Sequence, residues 1–319
     1  MSMLSVKVAR KTREAEDIAG FELVGLDNEP LPPFEAGSHI DVHIGDNLVR
    51  QYSLCNDPAE RRRYLLGVLR DPATRGGSRA MYDNVNEGDV LRISAPKNHF
   101  ALAAGARESL LLAGGIGVTP IMAMAERLAA QGANFAFHYG ARSADRMAFR
   151  ARILGSSWAD KVRFHFDDGA AEQKFDLAAL LRDPAAERHL YFCGPIGFLD
   201  AVRDTARAQG WGDAQVHFEY FSNVVAPSDT DTSFEVELKS SGRVIVVGPD
   251  QSVTEALAKA GVDVPTSCEQ GVCGTCITRV LEGEPDHKDM YFTPDEHALN
   301  DQFTPCCSRA KSKRLVLDL

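Results

Sequence analysis

Four cysteines constrain this chain more than any other feature. Cys268, Cys273 and Cys276 follow a C-x4-C-x2-C spacing, and Cys306 comes 29 residues later. Three thiols from one tight loop and a fourth from a distant segment must converge, which is the plant-type spacing for a [2Fe–2S] cluster. Gly271 and Gly274 let the loop fold round inorganic sulfides and turn peptide N–H groups towards them. Zinc sites usually pair two C-x2-C knuckles, and only one such pair is present. Cys307 directly follows Cys306, and in extended chain only one of two neighbours can easily point at the cluster.

The rest of the composition sets the frame for that centre. With 319 residues, 44 % hydrophobic and 25 % charged, the chain has enough apolar material for two or three folded domains. No run approaches eighteen apolar residues, so no membrane helix is expected. The start, Met1 to Lys7, lacks a basic segment followed by a long apolar stretch, so the expectation is a cytoplasmic protein without a signal peptide. A net charge of −10 argues against nucleic acid as a partner. From Ser228 to Leu319 there are 16 acidic and 9 basic side chains, so this last part carries most of the excess. It also holds five of the seven cysteines, which in a reducing compartment read as metal or redox chemistry before disulfides.

Three kinds of patterning follow one another along the chain. Ser38 to Ile44, Tyr64 to Leu69 and Val90 to Ile93 read as short strands separated by turn clusters, which predicts a small antiparallel β-barrel over 1–104. From Ser109 buried-strand runs alternate with helical spacing: Ser109 to Ala113, Phe135 to Tyr139, Val162 to Phe166 and Leu190 to Cys193. That alternation predicts a parallel α/β domain over 105–225. Ala226 to Ser233 is polar and aperiodic and reads as a linker. The alternating Phe234 to Leu238, a two-residue connection at Ser241-Gly242 and Val244 to Val247 then open a third unit, 234–319, as a hairpin.

Several turns carry chemistry of their own. Arg75-Gly76-Gly77-Ser78 offers backbone N–H groups, a hydroxyl and a cation, a set suited to phosphate. Gly114-Gly115-Ile116-Gly117-Val118-Thr119-Pro120 joins a strand to a helix. It is not the dinucleotide fingerprint, because Pro120 stands where the third glycine should be. Its mechanics are similar: glycines admit a ligand close to the backbone, Thr119 can cap, and Pro120 suits the first helical turn, whose N-terminus then faces a pyrophosphate. Cys193-Gly194-Pro195 also follows a strand and precedes a helix, so the two turns should flank one crevice.

Cys268 to Cys276, the segment Phe303 to Ser312 and the final Leu315 to Leu319 resemble the ferredoxin domain of the phthalate dioxygenase reductase family, nearest its vanillate O-demethylase reductase branch. Arg50-Gln51-Tyr52-Ser53 matches the R-x-Y-S strand of the ferredoxin-reductase superfamily, and the resemblance covers nearly the whole chain. It implies a flavin-binding β-barrel, a nucleotide-binding α/β domain and a C-terminal β-grasp ferredoxin domain. By this likeness Tyr52 packs on the flavin, Ser53 hydrogen-bonds near its N5, and Arg50 meets its phosphate. The loop from Gly114 to Pro120 takes the nicotinamide nucleotide, Cys193 places its thiol beside the nicotinamide, and Cys306 rather than Cys307 is the fourth cluster ligand. A strand puts Arg50 and Tyr52 on one face and Ser53 on the other, so a twist or the Ser53 backbone must reconcile them.

The family favours FMN over FAD and NADH over NADPH. Arg142-Ser143 could meet a 2′-phosphate, and Asp167 or Asp168 a ribose hydroxyl. The implied function is electron transfer from NADH through FMN and a [2Fe–2S] cluster to the terminal component of a Rieske aromatic oxygenase, by a monomer. A carnitine-type or phthalate-type oxygenase partner, or general flavin reduction, is the alternative. A free flavin reductase would have no need of the cysteine loop, and a pure electron carrier would lack the turns at Gly114 and Cys193. No His and carboxylate grouping for an oxygenase iron stands out, and His287 is expected to be a solvated turn residue.

Overall fold

The computed structural model describes residues 3–45, 48–72, 76–182, 184–221 and 231–319. The chain forms two compact units, Met1–Glu219 and Tyr220–Leu319.

The first unit opens with an antiparallel sheet of β1 (Met3–Ala15), β2 (Ile18–Gly25), β3 (Ser38–Ile44), β4 (Leu48–Ser53), β5 (Arg63–Leu69), β6 (Val90–Ser94) and β7 (Lys97–Asn98). The order is β4-β3-β6-β1-β2-β5, with β7 on β3, and the two ends of that path meet at a single bridge between Leu54 and Leu66. The strip therefore curls into a barrel round Val6, Phe21, Leu23, Ile40, Val42 and Leu66. Helix α1 (Gly77–Asn84) packs on β4 and β5, beside the part of β4 that has no ladder partner on its outer edge among the described residues.

β8 (Glu108–Gly114), α2 (Val118–Ala130), β9 (Asn134–Ala141), α3 (Arg150–Leu154), β10 (Val162–Phe166), α4 (Leu177–Leu180), β11 (Arg188–Cys193), α5 (Ile196–Ala208) and β12 (Val216–Glu219) follow. The strands form a parallel sheet ordered β10-β9-β8-β11-β12. β8 is buried along almost its whole length, which is why it reads as a continuous apolar run. β12 was not expected from its short, mixed sequence Val216 to Glu219. One core joins barrel and sheet: Ile18, Leu65 and Phe100 pack with Leu111, Tyr139 and Phe149. Gly67 on β5 permits this approach, because a Cβ there would lie 2.7 Å from the Thr119 methyl and 2.8 Å from the Phe149 ring.

The second unit comprises β13 (Phe234–Leu238), β14 (Val244–Val247), α6 (Val253–Lys259), β15 (Thr278–Glu282), β16 (Pro285–Asp286), α7 (Pro294–Leu299), β17 (Gln302–Phe303), β18 (Arg309–Ala310) and β19 (Arg314–Leu317). The main sheet runs β14-β13-β19-β15-β17, with β13 and β19 parallel. Phe234, Val236 and Leu238 alternate inward, while Glu235 and Glu237 turn out to meet Arg314 on β19 at 2.6 and 2.8 Å. The β13–β14 connection is longer than the two residues expected. It spans 239–243, and the Gly242 and Ser241 amides close back on the Leu238 carbonyl. Ser252 with Glu255, and Thr293 with Glu296, form reciprocal capping boxes that start α6 and α7, contacts worth about 1 kcal/mol each. The linker reading at 226–233 lies mostly outside the described residues.

Candidate redox sites

In the strand order of the α/β sheet, β8 sits between β9 and β11, so successive crossovers depart in opposite directions from the β8–β11 gap. Open α/β sheets bind ligands at the carboxyl ends of the strands beside such a gap. Both glycine turns lie there and touch. A Cβ on Gly117 would stand 2.2 Å from the Cys193 carbonyl oxygen, and one on Gly194 would stand 3.1 Å from the Gly114 Cα. α2 begins without a side-chain cap or an acidic residue in its first turn. Its N-terminal amides thus favour an anion. Thr119 does not cap, contrary to expectation: it lies inside the helix, and its hydroxyl donates back to the Ile116 carbonyl at 3.1 Å. Pro120 occupies the first turn as expected. Arg142 and Asp168 lie together at the ends of β9 and β10, where the Asp168 amide donates to the Arg142 carbonyl.

β12 brings in a residue that no local motif announces. Its register sets Glu219 opposite Cys193, and the Cys193 thiol approaches the Glu219 backbone carbonyl at 3.4 Å. The Glu219 side chain retains 17 % of its exposed area. Burial pushes its carboxyl up to about 8, against the hydrogen bond from Ser53. His39 Nδ1 lies 3.9 Å from the same carboxyl. Burial, reinforced by Glu219, keeps the Cys193 thiol protonated, so it is a packing sulfur rather than a nucleophile. Only the strand pairing reveals Glu219; a count of strands through Val216–Glu219 would have been the one sequence signal.

On β4, Arg50 and Tyr52 pair with Val42 and Ile40, whereas Ser53 pairs with His39 and faces Glu219. The strand keeps its alternation, so no twist brings all three side chains to one face. Tyr52 is pushed up by burial and is a neutral phenol whose oxygen has no partner among the described residues. Gly76, with φ +92°, precedes α1, which has neither a side-chain cap nor an acid in its first turn. The Arg50 guanidinium fills the space beside Gly77, where a Cβ would stand 2.2 Å from its Nε. Ser78 lies one residue further into α1, its hydroxyl accepting from the Asp71 amide at 3.4 Å. Open helix amides beside a guanidinium fit a phosphate monoester. Arg75 lies outside the described residues.

The cysteine loop gathers its thiols. Cys268 faces Cys273 and Cys306, and Cys306 in turn faces Cys276, with no disulfide among them. The thiols of Cys273 and Cys306 hold Cys268 far below the usual thiol range, so a thiolate forms readily there. Gly271 and Gly274 have φ of +71° and +68°, and the Gln270 amide donates to the Cys268 sulfur at 3.4 Å. Cys307 also faces Cys306. It packs under Gly271, where a Cβ would lie 2.4 Å from its sulfur, and meets the Thr304 hydroxyl at 3.2 Å. Four convergent thiols, with backbone amides directed at sulfur, are a donor set that fits a [2Fe–2S] cluster.

A barrel with a phosphate cradle, a parallel sheet with a glycine-lined crevice and a four-thiol ferredoxin fold together define a modular iron–sulfur flavin reductase. Residues 236–311 match the 2Fe-2S iron-sulfur cluster binding domain family. The chain is 53 % identical over 317 residues to a vanillate O-demethylase oxidoreductase of Pseudomonas sp. (strain HR199 / DSM 7063), covering 99 % of this chain and all of that one. It is 40 % identical to phthalate dioxygenase reductase of Burkholderia cepacia, covering 99 % of this chain and 97 % of the relative. A solved phthalate dioxygenase reductase, described as a modular structure for electron transfer from pyridine nucleotides to [2Fe–2S], superposes with a TM-score of 0.80 at 40 % identity. That match covers 100 % of this chain and 98 % of the other. The chain belongs to the phthalate dioxygenase reductase family and is an electron-transfer oxidoreductase.

Proposed function

We propose that this protein is the reductase component of a two-component Rieske oxygenase of the aromatic O-demethylase type, carrying electrons from NADH to the terminal oxygenase. The observation that carries the reading is the meeting of Ser53 from the barrel with Glu219 and Cys193 from the α/β sheet. A flavin on one domain and a nicotinamide on the other come together at such a junction. FMN, when bound, converts a two-electron hydride into single electrons that a [2Fe–2S] cluster can carry. The protein supplies orientation and electrostatics.

Arg50, Gly76, Gly77 and Ser78 would hold the FMN phosphate at the start of α1, and Arg75, outside the described residues, is proposed as a further cation for it. The outer edge of β4, which has no ladder partner among the described residues, would take the isoalloxazine. An edge is bordered by side chains of both faces, so Tyr52 and Ser53 can both reach it without a twist. Gly114, Gly115, Gly117, Thr119 and Pro120 seat the dinucleotide pyrophosphate at the start of α2, and Gly194 and Pro195 line the opposite wall. Cys193 would pack against the nicotinamide, and Ser53, whose hydroxyl donates to the Glu219 carboxyl, would border the flavin. Asp167 and Asp168 favour a ribose hydroxyl, which suits NADH. Cys268, Cys273, Cys276 and Cys306 ligate the cluster. The protein works as a cytoplasmic monomer.

The test separates the two units. A fragment ending after Phe221 should bind FMN and reduce ferricyanide with NADH, yet fail to drive an aromatic O-demethylase oxygenase that the full chain drives. Full oxygenase turnover by the fragment would remove the cluster from the electron path.

A further inference from the structure

The segment expected to be a solvated turn is buried. The His287 side chain keeps 7 % of its exposed area and Asp289 none, and His297 from α7 stacks on His287 with ring centroids 4.3 Å apart. Residues 287, 289 and 297 show no metal-ligand spacing in sequence; the fold of α7 back over the preceding turn makes the group. One ligand atom from each lies within 4.8 Å of the others.

We propose that His287, Asp289 and His297 form a binding site for a single divalent transition-metal ion of zinc's size and softness, separate from the cysteine loop. Asp289 is aimed and fixed: its Oδ2 accepts from the Tyr291 and Phe292 amides at 3.1 and 2.9 Å, and His297 Nε2 stands 3.2 Å away. Its Oδ1 takes a long bond from Ser308 at 3.3 Å and faces His287 Nδ1 at 3.7 Å. Asp289 and Asn300 both approach the His287 ring, but Asp289 Oδ1 stays 3.7 Å from Nδ1, and neither ring nitrogen has a partner within 3.5 Å among the described residues. Leaving a buried imidazole unsatisfied is costly, and an ion between it and the carboxylate relieves that cost. Zinc bonds of about 2.0 Å put tetrahedral donors about 3.3 Å apart. The 3.2 Å separation runs to Oδ2 and the 3.7 Å separation to Oδ1, both near that value, so a small turn of the carboxylate with rotation of His297, the most exposed of the three, brings one oxygen and both imidazoles into range. Two imidazoles and a carboxylate leave one position for water.

The site also backs the cysteine loop. The Met290 amide donates to the Gly271 carbonyl at 3.0 Å, and a Cβ on Gly271 would lie 2.8 Å from the Asp289 Cβ. An ion that ties 287 to 297 therefore braces the loop from behind.

The experiment uses the full chain with its iron and flavin in place, titrated with zinc in competition with a chromophoric chelator. The wild type should take up one zinc per chain with the iron content unchanged. His297→Ala, a change at the partly exposed end of the cluster, should weaken uptake by at least 30-fold and keep the visible spectrum. Zinc X-ray absorption should show nitrogen and oxygen ligands only. Zinc should also raise the temperature of cluster loss in the wild type and leave the variant unmoved. No uptake, equal uptake by the variant, or sulfur in the zinc shell would each overturn the site, the last by placing zinc among the cysteines.

Discussion

Ser53, at the end of a barrel strand, hydrogen-bonds the buried carboxyl of Glu219, at the end of the last strand of the α/β sheet. This contact ties the proposed flavin site to the nicotinamide crevice.

That carboxyl gives the first unit a pH signature. Its pKa is raised from 4.5 to about 8 by burial, so between those values the folded chain holds a proton that the unfolded chain has released. The stability it contributes is full below about 4.5 and is lost as pH rises through 8. Both tryptophans, Trp158 and Trp211, lie in this unit, so their fluorescence reports its unfolding. Denaturation of the flavin-free chain should show stability falling from pH 5 to 8, and Glu219→Gln should flatten that slope.

Arg50 stands against the open start of α1. A hydrogen bond between charged partners contributes about 1.5–3 kcal/mol. Arg50→Ala should therefore weaken FMN binding about 10- to 100-fold, measured by quenching of flavin fluorescence, with the iron content unchanged. Unchanged affinity would move the phosphate away from α1.

The neighbouring cysteines should separate cleanly. Cys306→Ser should lose the cluster, as should Cys268→Ser, Cys273→Ser and Cys276→Ser. Cys307→Ser should keep it, because its sulfur packs under Gly271 and against Thr304. Iron and sulfide analysis, with the visible spectrum, decides the matter.

The second unit's acidic excess should steer the encounter with a basic partner surface. Raising salt from 0.05 to 0.5 M, where screening shortens to a few ångströms, should slow second-order reduction of the oxygenase by about tenfold. Reduction of the chain's own flavin by NADH should stay flat. A salt-independent partner rate would mean that shape and apolar contact govern docking.

Short-range features were legible in the sequence because local backbone geometry dictates them. A C-x4-C-x2-C loop needs glycine at positive φ, as at Gly271 and Gly274, and the strand, glycine turn and helix from Gly114 to Pro120 follow one another as the sequence reads. Burial on both faces made β8 a continuous apolar run, so the parallel sheet could be read directly. What the tertiary structure alone decided depends on register and side-chain direction. Parallel pairing sets Glu219 beside Cys193, β4 is left with an outer edge that has no ladder partner among the described residues, and Cys307 packs under Gly271 while still facing Cys306. The same holds for His287, Asp289 and His297, whose spacing carries no signal until α7 folds back over the turn. Sequence spacing encodes what a few consecutive dihedrals can place; contacts between distant segments exist only once strand pairing and core packing have fixed both partners.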